Sequence, residues 1–129
     1  MQRHPRLQPL SREHYSALKL AKLCEQAADG DDAAINQACQ HVIQSYTNEL
    51  QPHFSLEEES LFPLLRDTPQ QALVEHALLD HRQLAELKER MRSADRAVLR
   101  QFGQHLKAHV RFEERELFPA LETRLDQAE

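Results

Sequence analysis

Cysteine and glycine are scarce in this sequence. Its 129 residues contain two cysteines, Cys24 and Cys39, which form no C-x-x-C pair. A disulfide framework and a thiolate zinc site are therefore excluded, and a reducing compartment is expected. Gly30 and Gly103 are the two glycines, and apolar and polar residues do not alternate as they do in strands. A β-rich fold is therefore not expected.

Positive charge and apolar runs are also limited. The chain has 16 basic and 21 acidic residues, for a formal net charge of -5, and the basic residues form no stripe. We therefore expect neither a nucleic-acid partner nor a membrane partner. Residues 1–10 lack the apolar region of a signal peptide or an anchor, so we expect a cytoplasmic protein.

The residues that are abundant are helix formers: Leu, Ala, Gln, Glu and Arg dominate. A chain of this length forms one domain, 1–129, here with a short arm over 1–10. Four helical segments with short connections predict an all-α, up-down-up-down four-helix bundle. The first helix is expected to be capped by Ser11 and the second to cover about 32–65, bent or interrupted at Pro52. The third is expected to start at Thr68-Pro69 and reach about Met91, and the fourth to be capped by Ser93 or Asp95.

One segment occurs twice. Residues 53–65 and 109–121 share the pattern H-x-x-x-E-E-x-x-L-F-P-x-L. The second and fourth helices of the predicted bundle run in the same direction, so the two copies should face each other across its axis.

Each copy of this segment places a histidine and a glutamate on one helix face. His53 precedes Glu57, and His109 precedes Glu113, by the four residues that separate neighbouring side chains on a helix. Both pairs lie on the apolar stripe, where an unpartnered carboxylate costs several kcal/mol to bury. A bound cation would satisfy all four side chains. The alternative is a solvated helix face with incidental contacts between histidine and glutamate.

Further histidines are predicted to reach the same layer. Antiparallel helices bring together residues equally far from their connecting turn, which places His53, His81 and His109 at one height. His14 points inward from the first helix but fits this arithmetic less well. His76 lies about 7 Å from the layer at 1.5 Å per residue, and His105 is either a further ligand or partly exposed. The predicted metal ligands are His14, His53, Glu57, His81, His109 and Glu113, with His76 and His105 as additional candidates.

The donor set restricts the metal. Imidazole and carboxylate without thiolate suit iron, manganese or zinc, and two facing carboxylates favour a dinuclear site. The sequence contains no E-x-x-H motif, which separates it from ferritin-like di-iron bundles, and no H-E-x-x-H zincin motif.

These residues resemble the hemerythrin-like (HHE cation-binding) family. The segments that carry the resemblance are Ser11-Arg12-Glu13-His14, His53-Phe54-x-x-Glu57-Glu58, Leu79-Asp80-His81-Arg82 and His109-Val110-Arg111-Phe112-Glu113-Glu114. The resemblance implies a four-helix bundle that holds a non-haem di-iron centre. The implied roles are bridging carboxylates at Glu57 and Glu113 and terminal ligands at His14, His53, His81 and His109.

The sequence departs from the oxygen-carrying members on the third helix. Those members have two histidines one turn apart, whereas Ala77 stands one turn before His81 here. One terminal ligand is therefore left open between His76, His105, a carboxylate and water.

The donor set and the resemblance together predict two iron ions, with manganese or zinc as substitutes. The predicted function is binding of a small diatomic ligand, O2 or NO, for sensing, scavenging or storage. The alternatives are a di-iron redox enzyme, peroxidase-like or nitric-oxide-reducing, and a structural bundle that binds zinc. The sequence does not identify a redox partner.

Overall fold

The computed structural model describes residues 3–128, which form four antiparallel helices and no strand. This confirms the predicted up-down-up-down bundle. None of the helices in this range is long and apolar enough to cross a membrane. The helices are α1 (Gln8–Ala28), α2 (residues 32–65), α3 (Gln71–Glu89, followed by the 3-10 turn Arg90–Ser93) and α4 (residues 96–128).

Helices α2 and α4 are continuous but contain wider π turns. α2 consists of Asp32–Ser45, the π turn Tyr46–Leu50, Gln51–Leu56, the π turn Glu57–Leu61 and the 3-10 turn Phe62–Leu65. α4 consists of Arg96–Phe112, the π turn Glu113–Leu117 and Phe118–Ala128.

Each π turn ends two residues before a proline. The N–H that precedes each proline donates to the carbonyl five residues earlier, from Gln51 to Tyr46, from Phe62 to Glu57 and from Phe118 to Glu113. A proline ring crowds the carbonyl four residues before it, and a wider turn relieves that crowding. The helix therefore continues through Pro52, so the interruption that the sequence allowed there does not occur.

The first helix begins earlier than predicted. α1 starts at Gln8 with Leu7 as its N-cap and Pro9 in its first turn, so Ser11 is not the cap. Leu7 and Leu10 are buried, and this burial favours a helical conformation in the segment that was expected to be an arm. Within the predicted arm, 1–10, only the residues before Gln8 precede the helix, and the first two lie outside the described residues.

The third helix begins later than predicted. α3 starts at Gln71 rather than at Pro69. The Thr68 hydroxyl donates to the Leu65 carbonyl and accepts from the Gln70 N–H, so it stabilises the preceding turn. At the connection before α2, the side chain of Asp31 caps the helix. At the connection before α4, the cap is the side chain of Asp95 and not that of Ser93.

The core consists of two apolar clusters at different heights. The upper cluster is built around Cys24, Val42, Leu84, Phe102 and Leu106, and the lower cluster around Leu10, Phe62, Ala77, Leu117 and Phe118. On every helix a polar residue lies between the two, as His14 does between Leu10 and Ala17 on α1. The predicted ligands therefore occupy a polar layer between two apolar ones.

Helices α1 and α4 approach closely at a glycine. A Cβ on Gly103 would lie 2.8 Å from the Ala21 carbonyl oxygen and 3.0 Å from the Cys24 Cβ. The absence of a side chain at Gly103 therefore fixes the distance between these two helices. Leu18 on α1 is 38% exposed, whereas Ala17 and Ala21 on the same helix are buried.

Candidate metal centre

Six predicted residues meet in the polar layer. They form two groups of four in which each residue offers one donor atom, and the donor atoms of a group lie within 4.8 Å of one another. The groups are His14, His53, Glu57 and Glu113, and Glu57, His81, His109 and Glu113. Both carboxylates belong to both groups, so the arrangement offers two cation positions that share Glu57 and Glu113.

Every histidine of the layer directs its Nε2 atom at these carboxylates. The distances are 2.8 Å for His14 and Glu113, 3.3 Å for His53 and Glu57, 3.2 Å for His81 and Glu57, and 3.6 Å for His109 and Glu113. On α2 and α4 the histidine and its glutamate are one helical turn apart, as the i, i+4 spacing predicted. His14, which fitted the arithmetic of distances from the connecting turns less well, lies in the same layer. Its ring centroid is 5.1 Å from that of His53.

The buried donor atoms fit a metal. Glu57 and Glu113 are 0% exposed. Several donor atoms of the layer have no hydrogen-bond partner among the described residues. These atoms are each oxygen of Glu57, Oε2 of Glu113, and Nε2 of His81 and of His109. Native proteins seldom leave buried polar atoms without a partner. All of these atoms belong to the group of Glu57, His81, His109 and Glu113, so a cation held by that group would satisfy them together.

Electrostatics points the same way. Burial, followed by the negative charge of Glu113, raises the pKa of Glu57 well above its usual range. Burial also opposes ionisation of Glu113, yet contacts with Glu57 and the histidines hold the pKa of Glu113 well below its usual range. Burial works against the charged form of His53 as well, but contacts with Glu113 and Glu57 raise its pKa to about 11. The shifts favour protons on Glu57 and His53, and a cation at these positions would displace them.

A second set of carboxylates holds the histidine rings from outside. Each accepts from one Nδ1 atom: Glu13 from His53 at 2.7 Å, Glu58 from His81 at 2.7 Å, Asp80 from His109 at 2.9 Å and Glu114 from His14 at 2.6 Å. A proton on Nδ1 leaves the Nε2 lone pair free for a metal. Sequence reasoning assigned no such role to these four residues. The available signal was their position, since each directly adjoins a predicted ligand in the chain.

The two additional candidates, His76 and His105, belong to neither group of four. The His76 side chain is 55% exposed, and its ring stacks on Phe112 at a centroid distance of 3.9 Å. His105 places Nε2 3.2 Å from Oδ1 of Asp80, the carboxylate that holds His109. The structure therefore does not place either residue where it would supply the ligand that the sequence left open.

The two halves of the site differ in their surroundings. A cavity of about 320 Å³ is lined by His14, His53, His109 and Glu113 of the layer but not by His81, and its other lining residues include Ser45, Asn48 and Glu49. On the opposite half, Phe54 and Phe62 stack on the ring of His81, at centroid distances of 4.0 and 5.7 Å. A small molecule therefore has room beside His14 and His53, whereas aromatic side chains cover His81.

A four-helix bundle with a buried layer of histidines around two shared carboxylates defines a class of helical proteins built to hold cations. The profile of the hemerythrin HHE cation binding domain matches residues 7–121. The chain therefore belongs to the hemerythrin family, as the resemblance predicted. No curated protein and no solved structure matches the sequence.

Proposed function

We propose that this protein is a non-haem di-iron protein that binds a diatomic ligand, O2 or NO, for sensing, scavenging or storage. The observation that carries the proposal is the pair of four-residue groups that share Glu57 and Glu113. A single cation would use only one group, so the two histidines of the other group would hold no ion. Two cations would engage all six side chains, with Glu57 and Glu113 available to both.

The donor atoms support iron. Four imidazole nitrogens and two carboxylates, without thiolate, suit iron, manganese or zinc. Each proposed ion would have two histidines and a share of both carboxylates, which leaves coordination positions for an exogenous ligand. A pair of ferrous ions would supply the electrons for binding a diatomic molecule.

The chain itself would direct such a ligand to one side. The cavity beside His14 and His53 is lined by polar residues and also by the apolar residues Leu50, Leu106 and Val110. The apolar part offers contacts to a small neutral molecule, while Phe54 covers the His81 ring. The diatomic ligand is therefore expected to enter next to His14 and His53.

A di-iron redox enzyme is the second candidate. The cavity volume of about 320 Å³ exceeds what a diatomic molecule needs and leaves room for a peroxide or an added water. This observation favours a peroxidase-like or nitric-oxide-reducing activity over a purely structural role.

Anaerobic reconstitution with ferrous iron tests the proposal. We expect about two iron ions per chain by metal analysis and an optical spectrum that changes reversibly with O2 or NO. Rapid irreversible bleaching with turnover of peroxide would instead support the enzyme. Two zinc ions per chain with no response to either gas would support a structural bundle and contradict the proposal.

The shared carboxylates offer a sharper test. The double variant Glu57→Gln, Glu113→Gln keeps the side-chain shape but removes both charges, so it should hold fewer than two ions. The matched control is Glu59→Gln, Glu116→Gln, which changes the same charge at exposed positions of the same π turns and should still hold two. If the first variant holds two ions as well, the bridging assignment is wrong.

A further inference from the structure

The short segment that precedes α1 reaches the metal layer through Arg3. The Arg3 guanidinium contacts Oε1 of Glu114 at 3.2 Å through Nε and donates through Nη2 to the backbone carbonyl of the same residue. Its Nη1 donates to Glu122, which also accepts from the backbone N–H of His4. One arginine thus connects the beginning of the described chain to two acidic residues of α4.

Glu114 is the carboxylate that holds His14. Its Oε2 accepts from Nδ1 of His14 at 2.6 Å and from the Ser11 hydroxyl at 2.8 Å, while its Oε1 faces Arg3. Both oxygens are therefore fixed from different directions.

The Arg3 guanidinium also covers the ring that supports His14. It lies 5.8 Å above the centroid of Phe118, and the Phe118 ring stacks on His14 at 5.2 Å. Arg3 therefore acts on His14 by two routes, through the Glu114 carboxylate and through the Phe118 ring.

The other three outer carboxylates are held differently. Glu13 and Glu58 have side chains that are 56% and 42% exposed, against 30% for Glu114. Asp80 interacts with two further histidines, His76 and His105, but with no arginine that the structure shows. Among the described residues the contact from an arginine is specific to the His14 end of the layer.

We propose that Arg3 is a positioning residue for the cation held by His14 and His53. Arg3 orders Glu114, Glu114 orders His14, and the ion at that half of the layer is thereby retained. This inference rests on the proposed metal centre but requires neither iron nor a diatomic ligand. Partners that orient a metal-bound histidine typically change metal affinity by about 10- to 100-fold.

The positioning role of Arg3 can be tested with zinc, which avoids oxidation chemistry. The full chain is loaded with two zinc ions, and release to a coloured chelator is followed in time. In Arg3→Ala we expect one of the two ions to leave about tenfold faster, the lower end of the range for such partners, and the other to leave at an unchanged rate. Ser11→Ala, which removes the hydroxyl contact to Glu114, should accelerate release of the same ion.

Three further variants identify the ion and separate positioning from stability. His14→Ala should lose the ion that Arg3→Ala releases early, which assigns it to the His14 half. Arg3→Lys keeps the charge but cannot make all the guanidinium contacts, so its release rate should lie between those of the unmodified chain and Arg3→Ala. The matched control is Arg6→Ala, since Arg6 donates to the Ser60 carbonyl and makes no contact with Glu114.

The outcomes distinguish a failure of the inference about Arg3 from a failure of the proposed metal centre. If the unmodified chain retains two ions and Arg3→Ala releases both at the original rates, Arg3 is not a positioning residue. The inference is also wrong if Arg3→Ala only lowers the melting temperature of the zinc-free chain. If the unmodified chain binds no zinc under any condition, the proposed metal centre itself fails.

Discussion

At the scale of single residues, each histidine of the layer has two nitrogens with different neighbours. For His81, Nδ1 faces Glu58 at 2.7 Å and Nε2 faces Glu57 at 3.2 Å. The outer carboxylate fixes the tautomer and the ring plane, and the inner nitrogen is left for a cation. His76 has no such arrangement, because it is exposed and its single carboxylate contact is at 3.4 Å.

This difference predicts opposite results for two substitutions on α3. His81→Ala should reduce the metal content from two ions per chain to about one, because it removes a donor from one group of four. His76→Ala is the matched control and should leave two ions per chain. Metal analysis after desalting measures both, and loss of an ion from His76→Ala would show that the site extends beyond the six residues.

At the scale of helices, the four outer carboxylates link each helix to the next. Glu13 of α1 holds a histidine of α2, Glu58 of α2 one of α3, Asp80 of α3 one of α4, and Glu114 of α4 one of α1. The contacts form a closed ring around the bundle. A shift of one helix would therefore disturb the histidine of its neighbour as well as its own.

Gly103 provides a test of the helix spacing. Gly103→Ala gains about 1 kcal/mol in helix propensity but forces a methyl group against the Ala21 carbonyl, and overpacking costs about 1–3 kcal/mol. We expect a net loss of stability in urea unfolding, together with weaker metal retention because α1 carries His14. Gln104→Ala, at the exposed neighbouring position, is the control and should change little. A Gly103→Ala chain more stable than the original would show that α1 moves away at no cost.

At the scale of the whole molecule, the polar layer lies between two apolar clusters that do not depend on it. The upper and lower clusters bury residues from all four helices. The bundle is therefore expected to keep its helical content without cations. A cation binds the folded layer and not the unfolded chain, so it should raise stability.

Metal removal measures this coupling. Two cations, each present at 100 times its Kd, add about 2.7 kcal/mol apiece to the free energy of unfolding, which together corresponds to a rise of roughly 20 °C in Tm for a domain of this size. We expect a chelator to lower Tm by about this amount while circular dichroism remains helical. The double variant Glu57→Gln, Glu113→Gln, which should hold fewer than two ions, should show a smaller shift. Equal Tm values with and without metal in the unmodified chain would contradict a site in the core.

Much of the fold and of the inner site could be predicted because its signals are local. The spacing of His53 and Glu57 within one helical turn is a property of the sequence alone, and its repetition at His109 and Glu113 indicated facing copies. The start of α1 was predicted less well, since Ser11 is a good capping residue in isolation. Burial of Leu7 and Leu10 in the lower cluster decided the start at Gln8.

The sequence by itself determined the helices, the inward stripe and the six side chains that share it, because helical periodicity acts over a few neighbouring residues. Only the tertiary structure decided which nitrogen of each histidine faces inward, because the carboxylate that fixes each ring lies on another helix. It also decided that Arg3 contacts Glu114, which is 111 residues away in the sequence and holds His14. Contacts between distant segments depend on how the helices pack, and no local pattern encodes that packing.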